Sequence, residues 1–401
     1  MFAVIPDVEE SVVNDLLDIR SRTAFQQPDW GGDPLLETVR DELARQAPLV
    51  RAEEVHSLRS HLAQVASGAA HLVWAGDCAE DPAECTTDCV ARKAGMLDVL
   101  AGTLKMVTHT PVLRIGRIAG QFTKPRSSPA ERIGKLQLPV YRGHMVNSPE
   151  PDLALRRPDP TRILDGYRAA AAAMTQLGWR SCGPAAQIDT HVWTSHEALL
   201  LDYEVPMLRR TSRGELLLSS THLPWIGERT RQIDGAHVAL LAGVVNPVAC
   251  KIGPGIGTGE LLALCERLDP GREPGRLCLI ARMGAGPVSG RLPALVAAVR
   301  SAGHPVIWLS DPMHGNTVVT RAGLKTRFVE SIVEEIQHFQ TAVRSAGGVA
   351  GGPHLETTPD AVTECVTNEF FADQVAEKYT SLCDPRLNPE QAVSVVASWL
   401  G

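Results

Sequence analysis

Between Arg276 and Asn316 the chain runs through two unbroken apolar stretches, RLCLIAR and PVIWLSD. Apolar residues at helical spacing (Leu292, Leu295, Val296, Val299) lie between them. A strand buried on both faces reads as a continuous apolar run, and a helix laid over it as a 3.6-residue period, so this pattern predicts a βαβ unit. Charged Arg282 and the polar group Asp311, His314 and Asn316 fall just past the apolar runs, where strands surface at one mouth of a sheet or barrel. Further strand candidates are HLVWAGD (His71–Asp77), PVLRIG (Pro111–Gly116), HVWTSH (His191–His196), LLLSST (Leu216–Thr221), PVACKIG (Pro247–Gly253) and PHLETT (Pro353–Thr358). Helical periods fall around Thr86–Val107, Thr161–Leu177, Asp234–Val244, Gly259–Leu268 and Arg327–Val343. Strands that alternate with helices in this number predict an α/β fold, a (β/α)8 TIM barrel, with a doubly wound sheet as the alternative.

Residues 1 to about 70 carry helical periods over Glu9–Ser21, Leu35–Ala47 and Glu54–Ala66 without convergent polar groups. They predict a helical extension that covers the barrel or forms an oligomer surface, so residues 1–401 are expected to form one decorated barrel domain. The stretch Ala119–Pro160 is rich in Gly, Pro, Arg and Ser, too irregular for a helix and too polar to be buried. Inserted loops of that length are functional or disordered.

Composition narrows the picture. With 44% hydrophobic residues and a net charge of −7 there is ample core material and no basic footprint for nucleic acid. No run approaches the roughly 20 apolar residues of a membrane helix, and the N-terminus lacks a basic segment followed by an apolar one, which predicts a cytoplasmic protein. The chain has 9 cysteines, an odd number and too sparse for a disulfide scaffold, so reduced thiols are expected.

Cys78, His314, Glu356 and Asp384 each follow a strand end or lie in a polar loop. A Cys, a His and two carboxylates suit a divalent transition metal such as Mn, Co, Fe or Zn; taken singly, each is an ordinary structural residue. Arg117, Lys124, Arg126, Arg229, Lys251 and Arg282 follow or interrupt strand-like segments rather than helix faces. A lone one is an ordinary surface charge, but Lys251 and Arg282 stand in apolar runs where an unpaired charge is costly. Together they point to an anionic ligand, most simply one with phosphate. Two motif-like stretches carry nothing. GPGIGTGE (Gly253–Glu260) puts Glu260 where a dinucleotide fingerprint needs its third glycine. CAEDPAECTTDC has no CxxC pair for zinc.

The segments GDCAE (Gly76–Glu80), RIAGQFTKPRS (Arg117–Ser127), YRGHMVN (Tyr141–Asn147), WTSHEALLLDYE, WIGERTRQIDGAHVALL, ARMGAG, DPMHGNT, HLETTPDAVTEC and CDPRLNP resemble, in order, the type II 3-deoxy-D-arabino-heptulosonate 7-phosphate (DAHP) synthases. In detail they are most similar to the branch dedicated to phenazine biosynthesis. The resemblance implies a cytoplasmic (β/α)8 barrel enzyme, a metal-dependent transferase that condenses phosphoenolpyruvate with D-erythrose 4-phosphate at the first step of the shikimate pathway. It implies Cys78, His314, Glu356 and Asp384 as ligands of a divalent metal, Mn²⁺ or Co²⁺ foremost. Phosphoenolpyruvate contacts fall on Arg117, Glu228, Arg229, Lys251 and Arg282, and the aldose phosphate loop on Lys124, Pro125, Arg126 and Ser127. Lys251, Glu228 and Arg282 are implied as the catalytic set. Small-molecule substrates, no nucleic acid, no membrane and a homo-oligomer (dimer or tetramer) are expected. An amino-substituted erythrose phosphate is the nearest alternative substrate, and a non-catalytic barrel that binds a partner protein is the alternative from another class. His144 departs from the family pattern, which has an acidic residue there, and the N-terminal part is shorter than in members that respond to aromatic amino acids. Cys383 precedes Asp384, so a redox disulfide with Cys78 is a further expectation.

Overall fold

The computed structural model describes residues 19, 21–180 and 191–400; the helix expected over Glu9–Ser21 lies almost wholly outside them. Eight parallel strands form one sheet. They are β1 (His71–Gly76), β2 (Val112–Arg117), β3 (Trp193–Thr194), β4 (Trp225–Ile226), β5 (Val248–Ile252), β6 (Leu277–Ala281), β7 (Ile307–Ser310) and β8 (Val349–Glu356). The spatial order β3-β2-β1-β8-β7-β6-β5-β4 is sequential around a ring. The ring closes between its two ends through the parallel bridge Glu197↔Trp225, with Ala198 N–H donating to the Trp225 carbonyl at 3.0 Å. This is the (β/α)8 barrel.

The fourth strand corrects an expectation. Leu216–Leu218 is a strand, but it pairs antiparallel with Leu208–Arg210 in a separate hairpin, and the ring takes Trp225–Ile226 instead. Apolar density made LLLSST the more strand-like stretch. The barrel position went to the pair that continues into GER at the mouth.

Helices α1 (Leu35–Ala44) and α2 (Ala52–Ala66) precede the barrel. Val55, Leu58, Leu62 and Val65 bury one face of α2, about 1.5–3 kcal/mol for each large side chain. A Cβ on Gly275, just before β6, would strike the α2 backbone at Arg59 and Ala63, and one on Gly351 in β8 would meet Val65. The helix therefore lies against the N-terminal ends of the strands, and the N-terminal extension acts as a floor. α3 (Thr87–Thr108), α4 (Arg162–Gln176), α5 (Ala236–Gly243), α6 (Thr258–Leu268), α7 (Ala285–Ser301) and α8 (Val329–Ser345) follow strands in turn, and α9 (Pro389–Ala397) ends the described chain. No helix among the described residues is long and apolar enough to cross a membrane.

The long segment after β2 is also corrected. Residues 118–123 are buried, as is much of 140–148, and Ala130–Ile133 pairs with Leu136–Pro139 as a hairpin. Polarity did not keep this segment outside because its polar groups are satisfied from within. Glu80 accepts the N–H groups of Ala119, Gly120 and Gln121 at 2.9–3.2 Å. The Asn147 side chain bridges Arg142, Val140 and Arg156.

Candidate active site

Parallel register brings the strand ends level. Gly76 stands opposite Arg117 on one side and Glu356 on the other, so Cys78, two residues past Gly76, emerges between them. Asp384 arrives from the C-terminal segment, which is stitched to the end of β8 where Leu387 N–H donates to the Glu356 carbonyl at 2.9 Å. The ligand atoms of Cys78, Glu356 and Asp384 all lie within 4.8 Å of one another. Nε2 of His314 lies 3.3 Å from Glu356, and its Nδ1 is held by Asp311 at 2.8 Å, which leaves Nε2 facing the cluster. Three of the four residues chosen from the sequence cluster, and His314 reaches the cluster through Glu356. A sulfur and two carboxylates in one cluster, with an imidazole beside one of the carboxylates, fit a divalent transition metal.

Charge around this cluster is tightly balanced. Burial alone would raise the Glu356 carboxyl, but Lys124, His314, Arg327 and Arg117 hold it well below the usual carboxylate range. Asp384 is likewise depressed against burial, chiefly by Lys124. The Lys124 ammonium sits among the ligands, 2.6 Å from the Cys78 sulfur, 3.1 Å from Asp384 and 3.4 Å from Glu356. It therefore lies within the cluster as well as lining the cleft. Cys78 and Cys383 are both free thiols here, and the Arg126 guanidinium donates to the Cys383 sulfur at 3.8 Å.

Beside the cluster opens a cavity of about 360 Å³, lined by Arg117, Lys124, Pro125, Arg126, Ser127, Glu228, Arg229, Lys251 and Arg282 among others. Every implied substrate-binding residue is brought to this one cleft. Lys251 donates to Asp311 at 2.8 Å, so a single buried carboxylate serves both the lysine and His314. Burial, reinforced by Arg117, draws the Lys251 ammonium below its usual pKa even with Asp311 against it. Both Arg117 and Lys251 stand over the Trp225 ring, 5.3 and 5.8 Å from its centre. Arg229 donates to the Ser127 hydroxyl at 2.7 Å and ties the loop after β4 to the loop after β2. Glu228 accepts from Arg231 at 2.9 Å through Oε1, while its Oε2 has no hydrogen-bond partner.

Reading the sequence alone missed several groups here. Glu197, buried in the cavity wall, has an unpartnered Oε1 and a carboxyl pushed up by burial. The polar run TSHE after β3 was its one available signal. Arg327, fully buried 2.9 Å from Glu356, and Lys325, 2.8 Å from Asp384, come from the hairpin after β7 and carried no signal of their own.

The chain matches the Class-II DAHP synthetase family over residues 15–191 and 174–398. It belongs to that family. A probable phospho-2-dehydro-3-deoxyheptonate aldolase of Pseudomonas fluorescens is 57% identical over 377 residues, 94% of each chain. A phospho-2-dehydro-3-deoxyheptonate aldolase of Streptomyces coelicolor is 38% identical over 424 residues, again 94% of each. Among solved structures, a phospho-2-dehydro-3-deoxyheptonate aldolase from Francisella tularensis shares the fold, with a TM-score of 0.54 and 15% identity over 90% of this chain and 95% of that one. DAHP synthases are metal-dependent enzymes, and Cys78, Glu356 and Asp384 form a cluster able to hold an ion.

Proposed function

We infer that the chain is a 3-deoxy-7-phosphoheptulonate synthase, which joins phosphoenolpyruvate, D-erythrose 4-phosphate and water to give DAHP and inorganic phosphate. The observation that supports the assignment of residues is the cluster of Cys78, Glu356 and Asp384, with His314 against Glu356, at one edge of a cleft lined by Arg117, Lys251 and Arg282.

Cys78, His314, Glu356 and Asp384 would hold a divalent metal, Mn²⁺ or Co²⁺, which when bound supplies Lewis-acid polarisation of the aldehyde oxygen. Arg117, Arg229 and Lys251 clamp the carboxylate and phosphate of phosphoenolpyruvate, with Arg282 on the phosphate, and fix its approach to the aldehyde. The KPRS loop, Lys124 to Ser127, receives the aldose phosphate. As C3 of the enol attacks the aldehyde, positive character grows at C2 and water adds there. Glu228, with its free Oε2, accepts that water's proton, and Lys251 helps to orient the water. The phosphohemiketal then expels phosphate. Glu197, whose carboxyl is driven toward the neutral form by burial, can donate a hydrogen bond in the cleft. The resemblance in detail to the phenazine branch supports a place feeding secondary metabolism.

Phosphate release from phosphoenolpyruvate tests the reading. It should require erythrose 4-phosphate, stop with chelator and return with Mn²⁺. Turnover undiminished in chelator would refute the metal site, and release only with an amino-substituted erythrose phosphate would change the substrate.

A further inference from the structure

The loops after β6 and β7 carry Arg282 and His314, and they are joined back to back. Arg282 Nη2 donates to the His314 carbonyl at 3.4 Å. The Asn316 side-chain oxygen accepts from the Ala285 N–H at 3.2 Å. A Cβ on Gly315 would strike the backbone nitrogen and Cα of Gly284, so only glycine allows this approach. Behind the junction stands Glu335 on α8, 1% exposed. One of its oxygens accepts the N–H groups of Met283 at 3.1 Å and Gly284 at 2.8 Å, and the other accepts from the Asn316 amide at 2.7 Å.

We propose that Glu335 is a positioning residue for this reaction, a buried carboxylate that locks the Arg282 loop and the His314 loop into a single unit. The inference rests on the site reading above. Packing of α8 does not need the carboxylate, because Ile332, Ile336, Phe339 and Val343 already bury the helix's apolar face. Burial pushes the Glu335 carboxyl up to about 7, so keeping a charge there works against stability. Three N–H donors converge on it, and the carboxylate, which when ionised accepts at both oxygens, satisfies all of them. An amide in its place keeps one acceptor and turns the other oxygen into a donor. Phosphoenolpyruvate recognition through Arg282 and metal coordination through His314 thereby share one anchor that touches neither ligand.

The test compares Glu335→Gln and Glu335→Ala with the native enzyme. Mn²⁺ affinity is read by electron paramagnetic resonance, phosphoenolpyruvate binding by calorimetry on the Mn²⁺-saturated enzyme, and KM for each substrate separately, with thermal unfolding beside them. Glu335→Ala should raise KM for phosphoenolpyruvate and weaken Mn²⁺ by about tenfold or more, the scale seen when outer-sphere partners are removed. KM for the aldose phosphate should move less than about twofold. In Glu335→Gln the side-chain oxygen keeps both backbone N–H bonds while the new NH₂ meets the Asn316 amide. Mn²⁺ affinity should therefore fall with phosphoenolpyruvate binding nearly native. Native Mn²⁺ affinity in Glu335→Gln overturns the proposal, even if Glu335→Ala fails to fold. So does a uniform loss across all parameters that tracks thermal stability. Arg282→Ala and His314→Ala serve as controls. If the first leaves phosphoenolpyruvate binding unchanged, or the second leaves Mn²⁺ affinity unchanged, the site reading fails; if both behave as expected, a negative result with Glu335 concerns Glu335 alone.

Discussion

On the β1, β2 and β8 side of the mouth each carboxylate has cations against it. Glu356 is met by Arg117 at 3.1 Å and Arg327 at 2.9 Å, Asp384 by Lys124 at 3.1 Å and Lys325 at 2.8 Å, and Asp77 by Lys93 and Arg386, both at 2.7 Å. On the β4 to β6 side the pattern is different. Arg229 donates to a serine hydroxyl and Arg282 to a backbone carbonyl. The carboxylates of the first side are balanced by cations of the protein itself. On the second side the partners of Arg229 and Arg282 are neutral oxygens. An acidic chain of net charge −7 can thus present a local site for a phosphorylated carboxylate.

The comparison can be broken by substitution. The largest effect is expected from Cys78→Ala or His314→Ala, each of which removes one protein ligand. Turnover should fall by about 10³-fold or more, several kcal/mol of barrier, with the far-ultraviolet dichroism unchanged. Substantial activity in metal-free forms of both variants would sink the metal assignment. Lys251→Ala should be comparably inactive yet retain Mn²⁺ on dialysis, since the lysine faces the substrate side; loss of metal there would show that Lys251 belongs to the balanced half. Arg327→Ala should cost about 3–5 kcal/mol in denaturant unfolding, because it takes a partner from the fully buried Glu356. The smallest change belongs to Arg282→Ala, which should raise KM for phosphoenolpyruvate by about tenfold to a hundredfold, the range for losing a hydrogen bond to a charged group. Its unfolding midpoint should stay native. Two arginines at one mouth would then differ in kind, one holding the fold and the other the ligand, and equal stability losses in both would erase the distinction.

Much of this was legible before the fold. β5, β6 and β7 stand out because parallel strands covered on both faces leave uninterrupted apolar runs, and every residue of β5 and β6 is buried. β3 and β4 were harder, being two residues long and set in polar sequence, which is why Leu216–Leu218 attracted the assignment of the fourth strand. The residues that line the cleft and form the cluster were legible through family resemblance and through their places after strand ends. The roles of Lys124 among the ligands, Glu197 in the wall and Glu335 behind the loops depend on which side chains converge in space. No spacing along the chain encodes that convergence.

The seam between β3 and β4 gives the ring an unequal hinge line. Elsewhere neighbouring strands share longer registers, as in the six residue pairs from His71↔Val112 to Gly76↔Arg117, whereas at the seam the described residues pair through the isolated bridge Glu197↔Trp225 and a few backbone hydrogen bonds around it. Amide exchange at Ala198 and Trp225 should therefore outpace exchange along β1 and β2, since short ladders open at lower free energy. Glu197 stands in that seam, and Glu228 and Arg229 follow it directly. Breathing there would loosen the grip on the anionic substrate while Cys78 and Glu356, carried on the long ladders, stay in register.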